Sequence, residues 1–178
     1  MGRVAWATQP FFAEDDCLGC AYNVRMKNSA ESVARAFVEA INRGDVDGLA
    51  ELMTPAHRFV DSLGAVTEGR DAMRAGWADY FRMVPDYSIE VRESYCDENP
   101  GNADPSAPPS LLAGFPQGDG AFVVVLLGVA RGTYASDGEL KQENRWETPA
   151  AFRALIADGK VAEWRVYADN EPIRRLMR

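Results

Sequence analysis

The chain has 178 residues, a hydrophobic content of 47% and a formal net charge of -8 at pH 7. This length fits one domain with a core of its own. The negative charge repels phosphate groups and anionic headgroups, so we expect neither nucleic acid nor a membrane surface as a partner. The longest apolar run, residues 121–130, is far shorter than the roughly 20 residues of a membrane helix, and residues 1–26 do not resemble a secretory signal. We therefore expect a cytoplasmic protein.

The cysteines give little support to a metal site. Cys17 and Cys20 have the spacing of zinc ligands, but there is no second pair, and a zinc site would need Cys96 and His57 from distant strands. A redox pair is also disfavoured, because no strand precedes the two cysteines and no helix clearly follows them. We predict ordinary thiols, no metal and no cofactor.

Hydrophobic spacing predicts three helices in the first half of the chain. Residues 1–27 show no period and are expected to form an irregular arm, whereas Asn28 begins a capping box and a helix that ends at Gly44. Asp45 can cap a second, short helix that Pro55 stops. A third helix, expected from about residue 69 to residue 84, carries an apolar stripe that consists of Met73, Gly76, Trp77, Tyr80, Phe81 and Val84.

The second half of the chain is predicted to be mainly strands. A period of two begins near Tyr87, and further strands are expected at residues 121–134, 141–157 and 161–168, with a hairpin turn at residues 158–159. Pro149 indicates a bulge or an edge position. Residues 97–120 are rich in proline and glycine and are predicted to form an inserted loop, either a lid over a pocket or a plain surface excursion. A short helix closes the chain.

This order of elements predicts an α+β fold rather than a doubly wound sheet. Residues 28–178 would form one domain in which the helices lie on one face of a bent, mostly antiparallel sheet. Such a sheet leaves a concave, largely apolar cavity of the kind that binds small molecules.

Asp61 is the most informative single residue. If the strand runs from His57 to Leu63, Asp61 lies on the same face as Phe59 and Leu63, because side chains alternate along a strand. An acid in apolar surroundings is a candidate general base. Alternatively, Asp61 accepts backbone N–H groups where the strand ends near Gly64, which is a common use of Asp at turns.

Four segments carry a family resemblance, namely residues 36–49, 59–61, 68–71 and 159–165. In this order they resemble the SnoaL-like and ketosteroid isomerase-like branch of the nuclear transport factor 2-like superfamily, over about residues 28–178. The resemblance implies a cone-shaped α+β barrel, with three N-terminal helices packed in a strongly curved sheet. It also implies an apolar pocket for a small apolar molecule and a homodimer formed through the open sheet face.

The resemblance also implies where catalysis would occur. In ketosteroid isomerases the general base is an Asp that matches Asp61, and a helix-1 Tyr and a second, protonated Asp hold the oxyanion. The matching positions here are Phe37 and Ala151, which cannot donate hydrogen bonds through their side chains. Two hypotheses remain open. The protein is an isomerase, cyclase or dehydratase that uses Asp61 as its base, or a noncatalytic ligand-binding or dimerisation module.

The remaining candidate residues surround Asp61. His57 shares its strand face and is a candidate for a proton relay with it, although Pro55 and Ala56 suggest a strand entrance near solvent. Aromatic residues are expected to form the core and the pocket wall, where some would contact the ligand. They are Phe37, Phe59, Trp77, Tyr80, Phe81, Trp146 and Trp164.

Overall fold

A computed structural model describes residues 18–98, 121–135 and 138–176 of the chain. The described part contains four α-helices, six β-strands and a short 3-10 turn, in an α+β order as predicted. The helices are α1 (Leu18–Asn42), α2 (Val46–Leu52), α3 (Arg70–Met83) and α4 (Glu171–Leu176). The strands are β1 (Met53–Val60), β2 (Val66–Glu68), β3 (Ser88–Glu98), β4 (Phe122–Thr133), β5 (Arg145–Ala157) and β6 (Lys160–Ala168).

The six strands form one curved, unclosed sheet in the order β2-β1-β6-β5-β4-β3. Strands β3 to β6 pair antiparallel along the chain, and β1 joins β6 in parallel. In this parallel pair the first strand of the sheet along the chain lies next to the last one. The curved, mostly antiparallel sheet that the sequence predicted is confirmed.

The helix boundaries are partly as predicted. Gly44 has φ +63 and follows the end of α1, and the Asp45 Oδ1 atom accepts a hydrogen bond of 2.8 Å from the Gly48 N–H as the cap of α2. However, α1 begins at Leu18 and not at Asn28. The residues between Leu18 and Asn28 tolerate a helix, so α1 already runs through Asn28, and the capping pattern there does not mark its start.

Strand β1 differs from the prediction at both ends. It begins at Met53, which was placed in the second helix, and includes Pro55. Pro55 is tolerated because the pairing of β1 with β6 is irregular between Met53 and Arg58. The strand ends at Val60, so the predicted continuation through Asp61 is wrong. The short edge strand β2 was not predicted, because its three residues are all exposed and show no alternation.

The later turns agree with the sequence. Asp158 and Gly159 both have positive φ, as a tight hairpin requires. Pro149 pairs with Val129 of β4, while the pairing of β5 with β6 begins only at Ala150, so Pro149 has the predicted edge position on that side. Nearly all of the 97–120 segment lies outside the described residues.

The helices cover the concave face of the sheet, with α1 packed mainly on β3 and α3 on β1. Trp164 of β6 is at the centre of the core and is 1% exposed. Its ring lies 4.9 Å from that of Phe37 and 5.5 Å from that of Phe152, between centroids. Aromatic packing therefore connects helix α1 with strands β5 and β6.

None of the described helices is long and apolar enough to cross a membrane. The cytoplasmic location stays a prediction of the sequence.

Candidate functional site

A cavity of about 540 Å³ opens between the concave sheet face and helices α3 and α4. Its volume is within the range that small-molecule sites occupy. The lining residues are Phe59, Asp61, Ser62, Leu63, Thr67, Met73, Gly76, Trp77, Tyr80, Tyr87, Ala130, Trp146, Thr148, Trp164, Val166, Ala168, Asn170, Ile173 and Arg174.

Four aromatic residues form what we call the inner wall: Trp77, Tyr80, Tyr87 and Trp146. The rings of Tyr80 and Tyr87 meet edge to face with centroids 5.0 Å apart, and Tyr87 lies 6.0 Å from Trp146 and 6.4 Å from Trp77. Trp77 and Tyr80 are three positions apart on α3, a spacing that places them on one helix face. The inner wall is therefore a continuous aromatic surface built from α3, β5 and the residue before β3.

The inner wall is polar at a few atoms. Burial raises the pKa of the Tyr80 hydroxyl, and burial together with the nearby Tyr80 raises the pKa of Tyr87. Both hydroxyls are therefore neutral at physiological pH. The indole Nε1 atoms of Trp77 and Trp146 are enclosed and have no hydrogen-bond partner among the described residues.

Another part of the lining, which we call the rim, consists of Asp61, Ser62, Leu63, Asn170 and Arg174. Leu63 is 66% exposed and Arg174 is also exposed, so this part opens to solvent. The Asn170 Nδ2 atom donates a hydrogen bond of 2.5 Å to the Ser62 Oγ atom. This bond ties the segment before α4 to the turn after β1 and fixes one edge of the opening.

Asp61 lies in the turn between β1 and β2. Its Oδ1 atom accepts hydrogen bonds of 2.8 Å from the backbone N–H groups of Leu63 and Ala65. The Asp61 N–H donates to the Ala65 carbonyl at 3.0 Å, and Gly64 donates to the Asp61 carbonyl at 3.0 Å. The turn interpretation of Asp61 is therefore confirmed, yet the residue lines the cavity. Among the described residues, none donates a hydrogen bond to its Oδ2 atom.

His57 is not at a solvent-exposed strand entrance, and that part of the prediction is wrong. Its side chain is fully buried, and its Nδ1 atom lies 2.8 Å from the Val161 carbonyl oxygen. It does not line the cavity that Asp61 borders. The imidazole contacts β6, the neighbour of β1 in the sheet, and its ring centroid lies 6.0 Å from that of Phe37 on α1. The neighbouring Pro55 and Ala56 do not reveal these tertiary contacts. The structure therefore does not bring the proposed His57 and Asp61 relay together.

Five of the seven predicted aromatic residues line the cavity, and two lie behind it. Phe81 stacks on Trp77 with centroids 5.3 Å apart, and Phe37 packs on Trp164 in the core. The sequence prediction omitted Tyr87, although Tyr87, Ile89 and Val91 share one strand parity that could have pointed to it. The five predicted aromatic residues in the lining are Phe59, Trp77, Tyr80, Trp146 and Trp164, and Tyr87 is the sixth aromatic residue there.

The two positions matched to the oxyanion donors of ketosteroid isomerases do not border the cavity. Phe37 is fully buried in the core. Ala151 lies between the core residues Ala150 and Phe152 of β5 and therefore points to the outer sheet face. Hydrogen-bond donors for a ligand, if the site has them, must come from other residues of the lining.

The described residues contain no group of three or more His, Cys, Asp or Glu side chains that is arranged to hold a metal ion. Cys17 and the side chain of Cys20 lie outside the described part.

The chain belongs to the SnoaL-like domain family, whose family model matches residues 34–164. No curated protein matches the chain in sequence.

Solved structures share the fold. A proposed SnoaL-like polyketide cyclase from Jannaschia sp. CCS1 superposes with a TM-score of 0.60 at 18% identity, covering 85% of this chain and 91% of that one. IdmH, a proposed polyketide cyclase from Streptomyces antibioticus, has a TM-score of 0.59 at 18% identity, with 83% and 97% covered. A protein with a ketosteroid isomerase-like fold from Catenulispora acidiphila, in complex with trimethylamine, has a TM-score of 0.53 at 15% identity, with 76% and 83% covered.

Proposed function

We propose that the protein is an enzyme that moves a proton on a small, mostly apolar carbonyl compound, with Asp61 as the general base. One observation carries this proposal. Asp61 lines the cavity, and its carboxylate is held through Oδ1 by two backbone N–H groups, while Oδ2 has no described protein donor. A base must be within reach of its substrate and fixed in position, and this arrangement meets both requirements.

The proposed step is a proton transfer. The Asp61 carboxylate takes a proton from a carbon next to the carbonyl group, and the C–H electron pair forms an enolate. If the enolate is conjugated with a carbon–carbon double bond, return of the proton from Asp61 to the far carbon gives an isomer. Attack of the enolate carbon on a second carbonyl closes a ring, and the alkoxide formed takes the proton from Asp61. Loss of hydroxide from the carbon next to the enolate, protonated by Asp61 and released as water, is a dehydration. The fold neighbours described as proposed polyketide cyclases support a substrate with carbonyl groups.

A noncatalytic ligand-binding module is the second candidate function, and one observation favours it. The hydrogen bonds of Asp61 to Leu63 and Ala65 give this residue a structural role in the turn, so its presence does not require catalysis. The two candidates differ only in whether the bound ligand loses a proton.

Hydrogen–deuterium exchange of a probe ketone distinguishes the enzyme from the noncatalytic module, and it does not require the natural ligand to be known. We would use 1-tetralone as the probe in D₂O and follow exchange at the carbon next to its carbonyl by NMR. We expect the wild-type protein to accelerate this exchange and Asp61→Asn to lose the acceleration while it still binds the probe. The Asn side chain keeps an acceptor oxygen for the Leu63 and Ala65 N–H groups, so the turn is preserved. Binding without accelerated exchange, or equal exchange in both proteins, favours the noncatalytic module.

We also propose a homodimer formed through the outer face of the sheet. Tyr95, Val125 and Arg153 are directly paired across β3, β4 and β5, and Leu127, Ala151 and Tyr167 across β4, β5 and β6. Directly paired residues share a sheet face, and this is the face opposite the core residues of the same strands. Tyr95 and Tyr167, which are 57% and 51% exposed, supply aromatic contact area of the kind enriched at protein interfaces.

Light scattering coupled to gel filtration tests the dimer. We expect twice the mass of the chain for the wild type, the monomer mass for Val125→Arg, and an unchanged dimer for Met83→Arg, which adds the same charge at an exposed position of α3. A wild-type monomer at micromolar concentration contradicts the proposal.

A further inference from the structure

The Tyr87 hydroxyl is a buried polar group that the proposed proton transfer leaves without a role. The Tyr87 side chain is 9% exposed and lines the cavity. No described residue forms a hydrogen bond with its hydroxyl. The enclosed atoms without partners include the nitrogens of Trp77 and Trp146 but not this oxygen, so the hydroxyl is accessible on a residue that lines the cavity. The hydroxyl of Tyr80, which is half-buried beside it, is in the same situation.

The inner wall offers donors and few acceptors. Each neutral tyrosine can donate one hydrogen bond to a ligand, whereas the indole nitrogens of Trp77 and Trp146 are enclosed and not accessible to one. A buried donor without a partner costs free energy, and an apolar ligand that displaces water from this wall would impose that cost. A ligand that presents an acceptor oxygen to the wall removes the cost. The polarity of the wall therefore discriminates between ligands of the same shape.

We infer that Tyr87, with Tyr80 beside it, donates a hydrogen bond to the carbonyl oxygen of the ligand, and that the inner wall thereby selects carbonyl compounds over hydrocarbons. This inference rests on the proposed function for the presence of a carbonyl ligand. It assigns a donor pair outside the positions Phe37 and Ala151, which do not border the cavity.

The placement also gives the ligand a direction. The acceptor carboxylate of Asp61 is at the rim, and the donor hydroxyls of Tyr80 and Tyr87 are at the inner wall. A carbonyl oxygen against the tyrosines directs the neighbouring carbon toward the rest of the cavity, where Asp61 is the lining carboxylate. Negative charge that develops on the oxygen during proton removal would then meet hydrogen-bond donors that are already in position.

Paired probes test the donor role directly. 1-Tetralone and tetralin have the same ring skeleton and differ by the carbonyl group. We would measure the binding of both by NMR titration to the wild type, Tyr87→Phe, Tyr80→Phe and the matched control Tyr134→Phe, whose ring is outside the cavity lining. We expect the wild type and Tyr134→Phe to prefer the ketone. Tyr87→Phe should lose roughly 3- to 10-fold of that preference, with tetralin binding no weaker than before.

The infrared carbonyl stretch of bound 1-tetralone gives a second readout. Hydrogen bonding should lower its frequency in the wild type, and Tyr87→Phe should shift it back toward the value in an apolar solvent. Because the removed hydroxyl has no protein partner, the melting temperature of ligand-free Tyr87→Phe should not fall below that of the wild type. A clear fall would show that the hydroxyl is bonded within the protein and would overturn the inference.

Equal affinities for ketone and hydrocarbon in the wild type, an unchanged preference in Tyr87→Phe, or failure of the ketone to bind would each overturn the inference as well. Asp61→Asn separates this result from the proposed function. If Asp61→Asn keeps the ketone preference while neither protein exchanges deuterium, the donor role stands and the proton transfer fails. If deuterium exchange depends on Asp61 but the ketone preference is independent of Tyr80 and Tyr87, the reverse holds.

Discussion

The imidazole Nδ1 atom of His57 lies 2.8 Å from the carbonyl oxygen of Val161, and this contact fixes the tautomer of the chain's single histidine. A carbonyl oxygen only accepts hydrogen bonds, so Nδ1 carries the proton and Nε2 is bare. The Nε2 atom is enclosed and has no partner among the described residues. Protonation of His57 would therefore bury a cation next to the ring of Phe37.

This contact predicts a loss of stability in mild acid. Burial lowers the pKa of His57, against the smaller opposing effects of the Val161 carbonyl and the Glu163 carboxylate. Because the pKa is lower in the folded than in the unfolded state, the stabilisation is complete above the unfolded value of about 6.5 and is lost as the pH falls below it. Urea unfolding should show that the free energy of unfolding declines as the pH is lowered from 7.5 to 5. The difference in stability between the wild type and His57→Asn should shrink as the pH is lowered over the same interval. A constant difference would contradict the conclusion that His57 is buried in its neutral form.

Substitutions at Asp61 should separate its structural and chemical roles. Asp61→Ala removes the acceptor for two backbone N–H groups and should lower the free energy of unfolding by about 1 to 2 kcal/mol. Asp61→Asn keeps an acceptor oxygen and should cost less than about 0.5 kcal/mol. Both variants should lose the ability to accelerate deuterium exchange of 1-tetralone. Chemical denaturation gives the stabilities, and equal losses for the two variants would show that the turn does not depend on these bonds.

Glu163 is a buried acid that pairs with three arginines on strands β1, β5 and β6 of the sheet. It is 3% exposed and forms ion pairs of 3.0 Å with Arg58, 3.0 Å with Arg153 and 3.4 Å with Arg165. Glu163→Gln leaves these cations without their shared partner and should cost about 2 to 3 kcal/mol by urea denaturation. Glu39→Gln, which removes an exposed pair with Arg43, is the matched control and should cost less than about 0.5 kcal/mol. Similar costs for the two variants would mean that the Glu163 cluster contributes no more than a surface pair.

Two glycines should respond in opposite ways to the same change. A Cβ atom on Gly128 would lie 1.9 Å from the Glu90 carbonyl oxygen, so Gly128→Ala forces β3 and β4 apart and should cost at least about 2 kcal/mol. Gly76 lies inside α3 with nothing within 4 Å of that position, and Gly76→Ala should stabilise by about 0.5 to 1 kcal/mol through helix propensity. Thermal and urea unfolding of both variants check this prediction. A tolerated Gly128→Ala would show that the strands adjust.

Local signals predicted most elements because they act over a few residues. The stripe of α3 and the alternation of β4 to β6 identify which faces are buried, and Asp45 and Gly159 mark a helix cap and a turn by their own backbone preferences. The same signals failed where tertiary pairing decides. Pro55 lies within a strand because the ladder is interrupted there, and β2 exists only because β1 offers it an edge.

The candidate site shows the same division. The sequence identified most of the aromatic lining, because the faces of these residues on helices and strands could be deduced from spacing. It also identified Asp61, through its apolar neighbours in the predicted strand and through the family resemblance. It misplaced Asp61 within a strand, since a strand's last residue is set by its neighbour and not by its own composition. Tyr87 was not selected, although its strand parity with Ile89 and Val91 could have pointed to the cavity. That its hydroxyl has no described partner is a property of everything around it and has no local sequence signal.

By itself, the sequence determined the α+β class and most of the order of helices and strands, because hydrophobic periodicity and turn chemistry are encoded over short distances. The family and the matching acid, Asp61, followed from the resemblance of four segments to known proteins. Only the tertiary structure decided that His57 is buried with its Nδ1 atom against the Val161 carbonyl of β6, that Asp61 combines a turn with the cavity rim, and that the tyrosine hydroxyls of the inner wall have no described protein partner. Each of these facts depends on residues far apart in the chain, which only folding brings together.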